Sequence, residues 1–182
     1  AGRRVTGVDI TPAMLRQFET KLAREDSDVA ERVTLVEQDV SRLELEQRTY
    51  GLAILAFNSL PCIPNFEAQL AALSAIARHL APGATLVVDT VNPLKLPLSG
   101  DPKPKLFFTR KNPRTGNTYT RFSLSDPIDA DQRQRLHGFY DELDHEGLVR
   151  RSFYSVYWRP IFRFELELML RAAGFRVHAI EG

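Results

Sequence analysis

Residues 5–15 of the chain read VTGVDITPAML, a short apolar strand followed at once by a helix. Val5 and Val8 supply the apolar positions of the strand, and Pro12 suits the first turn of the helix, where its missing N–H has no bonding role. Asp9 stands between them, at the carboxyl end of the strand. In an α/β sheet an acidic residue there can accept hydrogen bonds from both hydroxyls of a nucleoside ribose. The alternative is that Asp9 only caps the helix, and this segment alone does not decide.

The same alternation of strands and helices continues along the first half of the chain. Apolar runs predict strands over residues 32–37, 50–57 and 84–89, and helical periodicity predicts helices over 12–24 and 66–80. The run at 50–57 is apolar almost throughout, as expected of a parallel strand that is buried on both faces. Short connections between these elements predict a doubly wound α/β sheet.

The second half of the chain has a different composition. A proline-rich linker begins at residue 93, and aromatic and β-branched runs then alternate with turn signals at residues 112–117 and 143–147. This pattern predicts an antiparallel addition of about four strands. We therefore assign residues 1–92 and 160–182 to the α/β core, and residues 93–159 to the linker and an antiparallel flap.

The end of the chain returns to the pattern of the core. Residues 162–173 have helical periodicity, and Gly174 is placed to end that helix. Residues 175–180, FRVHAI, are predicted to form a last strand.

Two more segments lie where predicted strands end, which is the edge at which open α/β sheets bind ligands. Gln38-Asp39-Val40 offers a carboxylate beside an apolar side chain, a combination that can contact the amino edge and one face of an adenine. Phe57-Asn58-Ser59 offers backbone carbonyls and an aromatic side chain, which suit an ammonium group and a sulfonium. Each segment can also be an ordinary turn.

Composition narrows the range of partners. Lys and Arg total 24 and Asp and Glu total 23, so the net charge of +1 argues against nucleic acid as the main partner. No apolar run approaches the roughly 20 residues that cross a bilayer. The single cysteine, Cys62, suits a cytoplasmic protein, and no cluster has the spacing of metal ligands. His79 and His145 are expected to lie on the surface.

Several of these segments together resemble the class I S-adenosylmethionine-dependent methyltransferases. Residues 5–15 are similar to the segment around the second strand of that family's sheet, and residues 33–40 to the third. Phe57 to Leu60 resembles the turn after its fourth strand, and His79 to Ala84 the turn before its fifth. Residues 164–175 resemble its late helix.

The resemblance implies S-adenosylmethionine as the cofactor and a small-molecule methyl acceptor, with methyl transfer to nitrogen or oxygen. In the family the acidic residue equivalent to Asp9 holds the ribose and the one equivalent to Asp39 contacts the adenine. The cofactor-binding residues implied for this chain are Asp9, Ile10, Met14, Asp39, Val40, Phe57, Asn58 and Ser59.

The antiparallel flap resembles that of the sugar-amine N-methyltransferases of this fold. His137 resembles a histidine on the corresponding strand of those enzymes, and an imidazole can accept a proton from an attacking amine or hydroxyl. The aromatic side chains of Tyr140, Tyr157 and Trp158 can line a pocket that excludes water from the sulfonium or stabilises cationic charge. The plainer interpretation is a solvent-facing histidine and aromatic rings that pack the sheet. The resemblance also allows a homodimer.

One departure from the family leaves two alternatives open. The family's glycine-rich loop precedes its second strand, but no Gly-x-Gly occurs before Asp9. We therefore expect a Rossmann-like methyltransferase sheet that is incomplete at both ends. The alternatives are an NAD-dependent oxidoreductase, because NAD ribose is bound by an acidic residue in the same place, and a non-catalytic scaffold that has lost cofactor binding.

Overall fold

A computed structural model describes residues 2–46 and 49–181 of the chain. The α/β part contains strands β1 (Val5–Asp9), β2 (Val33–Glu37), β3 (Tyr50–Leu55) and β4 (Leu80–Val88), and helices α1 (Pro12–Leu22), α2 (Ser27–Ala30) and α3 (Phe66–His79). The antiparallel part contains β5 (Asp101–Lys111), β6 (Thr118–Ser125), β7 (Gln134–Leu143) and β8 (Val149–Trp158), and helix α4 (Arg163–Ala172) follows. Two short 3-10 turns span Val40–Arg42 and Pro93–Lys95.

The α/β part contains two parallel strand pairs. β1 pairs with β2 in a register that places Asp9 beside Glu37, and β3 pairs with β4 in a separate two-stranded sheet. Parallel strands joined through helices are the arrangement expected of a Rossmann-like fold. Among the described residues, backbone hydrogen bonds do not join the two pairs into one sheet.

Helix α3 packs against both parallel pairs. Ala75 and Ile76 are buried in a cluster with Leu43, and this cluster also contacts Val8 of β1 and Ala53 of β3. On another side of the helix, Leu73 packs in a second cluster with four buried residues, Leu60, Ile161, Leu166 and Met169. The two cores of the α/β part therefore meet on one helix.

The predicted antiparallel addition is confirmed as a four-stranded sheet in the order β5-β6-β7-β8. The turn at residues 112–117 joins β5 to β6 at the outer end of the sheet, and there the Asn112 N–H donates to the Asn117 carbonyl at 2.8 Å. Its other end is held by the β6–β7 connection, in which the Asp126 N–H donates to the carbonyl of Arg135 at 3.0 Å.

Some predicted boundaries were wrong. The strand predicted over 84–89 starts earlier, because Leu80 pairs with Tyr50 and a bulge then accommodates Pro82-Gly83 before pairing resumes at Thr85. The strand predicted over 175–180 is not present, because a strand requires a neighbour's hydrogen bonds and no described strand pairs with that segment. Gly174 does end α4, with a φ of 91°.

Gly138 is a position in the antiparallel sheet where no side chain fits. It lies opposite Tyr154 in the β7–β8 pair, and a Cβ built on it would stand 2.0 Å from the carbonyl oxygen of Phe122. The Tyr154 hydroxyl crosses over this glycine to donate to the same carbonyl at 3.0 Å, and it accepts from Arg121 Nε at 3.0 Å. The glycine thus admits a tyrosine bridge between β8 and β6.

We expect Gly138→Ala to destabilise the protein by about 2–3 kcal/mol, because the added methyl group forces the strands apart and displaces Tyr154. For a domain of this size that corresponds to a fall in Tm of roughly 5–10 °C in thermal denaturation. Gly51→Ala on β3 is the control, since its Cβ would meet no heavy atom within 4 Å. Equal Tm values for the two variants would contradict the close approach at Gly138.

Candidate functional site

Asp9 and Asp39 lie at the same edge of the first parallel pair. Asp9 ends β1 in register with Glu37, and the Gln38 N–H donates to the Asp9 carbonyl at 3.2 Å. Asp39 is the next residue along the second chain segment. Because paired strands run about 4.8 Å apart, the two acidic residues belong to adjacent segments at one carboxyl edge.

Each of these carboxylates has one oxygen in a local turn. The Thr11 N–H donates to Asp9 Oδ1 at 2.8 Å, and the N–H and hydroxyl of Ser41 both donate to Asp39 Oδ1 at 2.8 Å. The Thr11 side chain itself caps nothing, so Asp9 does help to start α1. In the described part of the chain, the Oδ2 atoms of Asp9 and Asp39 make no hydrogen bond. The turns fix the direction of each carboxylate and leave one oxygen for a ligand.

Large apolar side chains are exposed just after the strands β1 and β3. Ile10, Met14 and Phe57 have exposed fractions of 63%, 54% and 90%, which are high for residues of their kind. Val40 differs, because it is half-buried against the cluster that contains Leu43. Exposed apolar side chains beside two carboxylates are the composition expected of a nucleoside site.

The turn after β3 has a strained backbone. Phe57 and Asn58 are consecutive non-glycine residues with φ values of 52° and 60°. The Phe57 N–H donates to Asp89 Oδ2 at 2.9 Å, and the Asn58 side-chain oxygen accepts from the Val91 N–H at 2.5 Å. Backbone strain of this kind persists where surrounding bonds enforce it, and it concentrates at functional sites.

Asp89 is the residue at this edge that sequence reasoning missed. Its backbone carbonyl accepts from the Asn58 N–H at 3.2 Å, so both ends of Asp89 hold the strained turn. Ser59 completes the turn by donating its hydroxyl to the Ala56 carbonyl at 2.5 Å. The sequence did contain a signal for Asp89, because this acidic residue directly follows β4, just as Asp39 closely follows β2.

His137 lies on β7 in a charged cluster. Its Nε2 is 3.1 Å from Asp126 Oδ1, and the other oxygen of Asp126 accepts from Arg135 Nε at 2.7 Å. The hydrogen bond from Arg135 lowers the pKa of the Asp126 carboxyl from its ordinary value. His137 is therefore not simply a solvent-facing histidine, because one of its ring nitrogens has a carboxylate partner.

The three predicted pocket aromatics do not come together. Tyr140 and Trp158 share a face, but the register places Tyr140 opposite Ser152 and Trp158 opposite Gln134, about 20 Å apart along the strands. Tyr157 pairs with Arg135 and is on the other face. Tyr140 instead lines a cavity of about 300 Å³ whose other residues are Asn112, Pro113, Tyr119, Glu142, Arg150 and Ser152.

One end of the antiparallel sheet is attached to loops that leave the carboxyl ends of β3 and β4. The Arg159 N–H donates to the Pro61 carbonyl at 2.7 Å, and Gln134 Nε2 donates to the Pro97 carbonyl at 2.7 Å. Buried Gln69 of α3 accepts from Arg159 Nη1 at 2.9 Å. The same guanidinium also pairs with Glu165 of α4.

His79 corrects an expectation. It is buried, where we expected a surface residue, because the Leu45 N–H donates to its Nε2 at 3.0 Å and its Nδ1 is 2.8 Å from the Ala75 carbonyl. An accepting Nε2 leaves the proton on Nδ1, which donates to that carbonyl. His145 is exposed, as expected.

Neither a metal-ion cluster nor a membrane-spanning helix is present within residues 2–46 and 49–181. Three or more His, Cys, Asp or Glu side chains do not gather in this part of the chain to hold a metal ion. Helices among these residues are too short or too polar to cross a membrane.

Comparisons with known proteins agree with this geometry. Residues 1–83 match the model of a methyltransferase domain family. The chain superposes on DesVI from Streptomyces venezuelae with a TM-score of 0.78 and 22% identity, over 97% of this chain and 68% of that one. The chain has the class I methyltransferase fold. The predicted resemblance in fold is thereby confirmed.

Two further solved structures support the fold. The CcbJ methyltransferase from Streptomyces caelestis has a TM-score of 0.75 and 24% identity, over 94% of this chain and 63% of that one. CalS10 from Micromonospora echinaspora, an amino pentose methyltransferase, has a TM-score of 0.73 and 23% identity, over 94% and 65%. This methyltransferase-fold chain thus spans about two thirds of their lengths, and a sequence comparison with curated proteins finds no match.

Proposed function

We propose that this chain belongs to an enzyme that binds S-adenosylmethionine and transfers its methyl group to a nitrogen of a small molecule. The observation that carries the proposal is the pair of carboxylates, Asp9 and Asp39, on adjacent segments at one carboxyl edge. The match of residues 1–83 to a methyltransferase domain supports it.

The residues at this edge fit the adenosine half of the cofactor. In this proposal Asp9 accepts hydrogen bonds from the ribose hydroxyls, and Asp39 and Val40 contact the adenine. Ile10 and Met14 present exposed apolar surface beside them, as an aromatic base requires. A sulfonium methyl group is already activated, so when bound the cofactor supplies the electrophile.

The turn at Phe57, Asn58 and Ser59 is proposed to serve the charged end of the cofactor. Its consecutive positive φ values give the backbone an unusual conformation, and Asp89 holds that conformation. Exposed Phe57 then provides an aromatic surface beside a positive charge. The protein's main contribution to rate is orientation of the reactants, which is worth roughly 7–11 kcal/mol.

An amine of a small molecule is the proposed acceptor. CalS10, whose fold this chain shares, is an amino pentose methyltransferase. The near-neutral net charge of +1 suits a small acceptor better than a polyanion. His137 is the candidate proton acceptor, since an amine must lose a proton when its nitrogen is methylated. The unpaired Cys62 suits a reducing compartment, and we propose a cytoplasmic enzyme.

We expect Asp9→Ala to weaken binding of S-adenosylhomocysteine by at least about tenfold, because the ribose loses a charge-assisted hydrogen bond worth about 1.5–3 kcal/mol. The affinity of this variant for adenosine should fall by a similar factor. Isothermal titration calorimetry measures both, and Asp39→Ala should behave alike.

Asp28→Asn is the control for this binding experiment. Asp28 is an exposed acid that pairs with Arg32 at the opposite end of β2, so its change should leave the affinity unaltered. Affinity for S-adenosylhomocysteine that survives Asp9→Ala, or tighter binding of NAD by the unaltered protein, would overturn the proposed cofactor.

A methyl-transfer assay tests whether the acceptor atom is a nitrogen. We expect transfer of labelled methyl from S-adenosylmethionine to aminosugars and other small amines, and none to matched compounds in which hydroxyl replaces the amino group. Mass spectrometry of the products locates the methyl group. Transfer to the hydroxyl compounds alone would exclude the proposed nitrogen acceptor.

A homodimer through the edge of β8 is a further part of the proposal. β8 is an edge strand of the antiparallel sheet, and its exposed side chains include Val149, Phe153 and Tyr157. Exposed apolar edge strands favour pairing with another chain.

We expect Phe153→Lys to lower the mass measured by light scattering from two chains to one, because a charge on this strand opposes edge pairing. Phe164→Lys on α4 is the control, since Phe164 is comparably exposed, at 74% against 79%, on a different element. A monomeric wild-type protein, or a dimer that persists in Phe153→Lys, would contradict this interface.

A further inference from the structure

A cluster of three charged or titratable side chains lies where the β6–β7 connection meets β7. These side chains are not part of the proposed cofactor site. Asp126 directly follows β6, and Arg135 and His137 lie on one face of β7. Asp126 Oδ1 is 3.1 Å from His137 Nε2, while Asp126 Oδ2 accepts from Arg135 Nε at 2.7 Å. One carboxylate therefore holds a histidine on one side and an arginine on the other.

This arrangement determines which nitrogen of His137 carries the proton. The pKa of Asp126 is lowered, mainly by the hydrogen bond from Arg135, so Asp126 is an anion near neutral pH and can only accept hydrogen bonds. His137 Nε2 must then be the donor. In neutral His137 the lone pair is left on Nδ1.

The cluster lies near the end of the antiparallel sheet that is attached to the ligand-binding edge. Gln134 precedes His137 by three residues, about 10 Å along β7, and its side chain donates to the carbonyls of Pro97 and Asp126. Ile128, in the same connection, donates its N–H to the Leu98 carbonyl at 2.9 Å. These contacts fix the position of Asp126 relative to the loop that leaves β4.

We propose that Asp126 is a positioning residue, which holds His137 with the proton on Nε2 so that Nδ1 is free to receive a proton from the acceptor amine. This inference rests on the proposed methyl transfer. In that step the amine nitrogen forms a bond to the methyl carbon, the carbon–sulfur bond breaks with its electron pair going to sulfur, and the amine proton passes to Nδ1.

The substitution Asp126→Asn tests this role, because Arg135 determines how the new amide is oriented. Arg135 Nε is a donor and needs an oxygen, so the new amide keeps its oxygen toward Arg135 and turns its NH2 toward His137. Nε2 must then accept, and the proton moves to Nδ1. The substitution changes the tautomer and leaves the shape of the side chain nearly unaltered.

Long-range proton–nitrogen NMR spectra of the histidine side chains report the tautomer directly. We expect the Nε2–H form of His137 in the wild type and the Nδ1–H form in Asp126→Asn, with the resonance assigned by its absence in His137→Gln. An Nδ1–H form in the wild type, or the same form in both proteins, would overturn the assignment.

Steady-state methyl transfer provides the second measurement. We expect kcat to fall about 100-fold in Asp126→Asn with the affinity for S-adenosylhomocysteine unchanged, and no further fall when the substitution is added to His137→Gln. Asp129→Asn is the matched control, because Asp129 is held by Arg133 in the same connection but has no histidine partner. A switched tautomer with unchanged kcat would refute the role of Nδ1.

The two proposals fail in different ways. If the wild type transfers no methyl group to any amine, the proposed function is contradicted, and the NMR spectra alone then decide whether Asp126 fixes the tautomer of His137.

Discussion

Burial of α3 is the constraint on which the arrangement of this molecule depends. Among the described residues, no backbone ladder joins the strand pairs β1–β2 and β3–β4, and a side-chain hydrogen bond of 2.8 Å between Thr6 on β1 and Tyr50 on β3 links them. Backbone pairing therefore does not position one pair relative to the other. The apolar cluster around Ala75 and Ile76 does, because it contacts Val8 of β1 and Ala53 of β3 together. The proposed adenosine residues lie on one pair and the strained turn follows the other, so both halves of the site depend on the packing of one helix.

The same helix positions the antiparallel sheet. Gln69 is fully buried on α3, donates to the carbonyls of Leu60 and Arg159, and accepts from the Arg159 guanidinium. Arg159 in turn reaches Glu165 on α4. A buried guanidinium is costly unless its donors are satisfied, and here several acceptors converge on it. This network connects the loop that leaves β3, the end of β8 and the last helix.

The residues proposed for function lie where packing and backbone geometry are less favourable than elsewhere. Phe57 is almost wholly exposed, and it shares a left-handed backbone with Asn58, a conformation that costs of order 1–3 kcal/mol per residue. The two contacts from Asp89 oppose that cost. Backbone strain that surrounding bonds enforce in this way concentrates at functional sites, which is consistent with the role proposed for this turn.

Local patterns in the sequence were sufficient to predict the α/β class, the antiparallel addition and the shared edge of Asp9 and Asp39. Strand alternation, Pro12 at a helix start and acidic residues after strands are properties of neighbouring residues, and parallel pairing then brings strand ends together. Only the tertiary structure decided that His79 is buried, that Tyr157 lies on the face opposite Tyr140, and that Asp126 holds His137. Each of these depends on contacts between residues distant in sequence, or on a register that local composition does not specify.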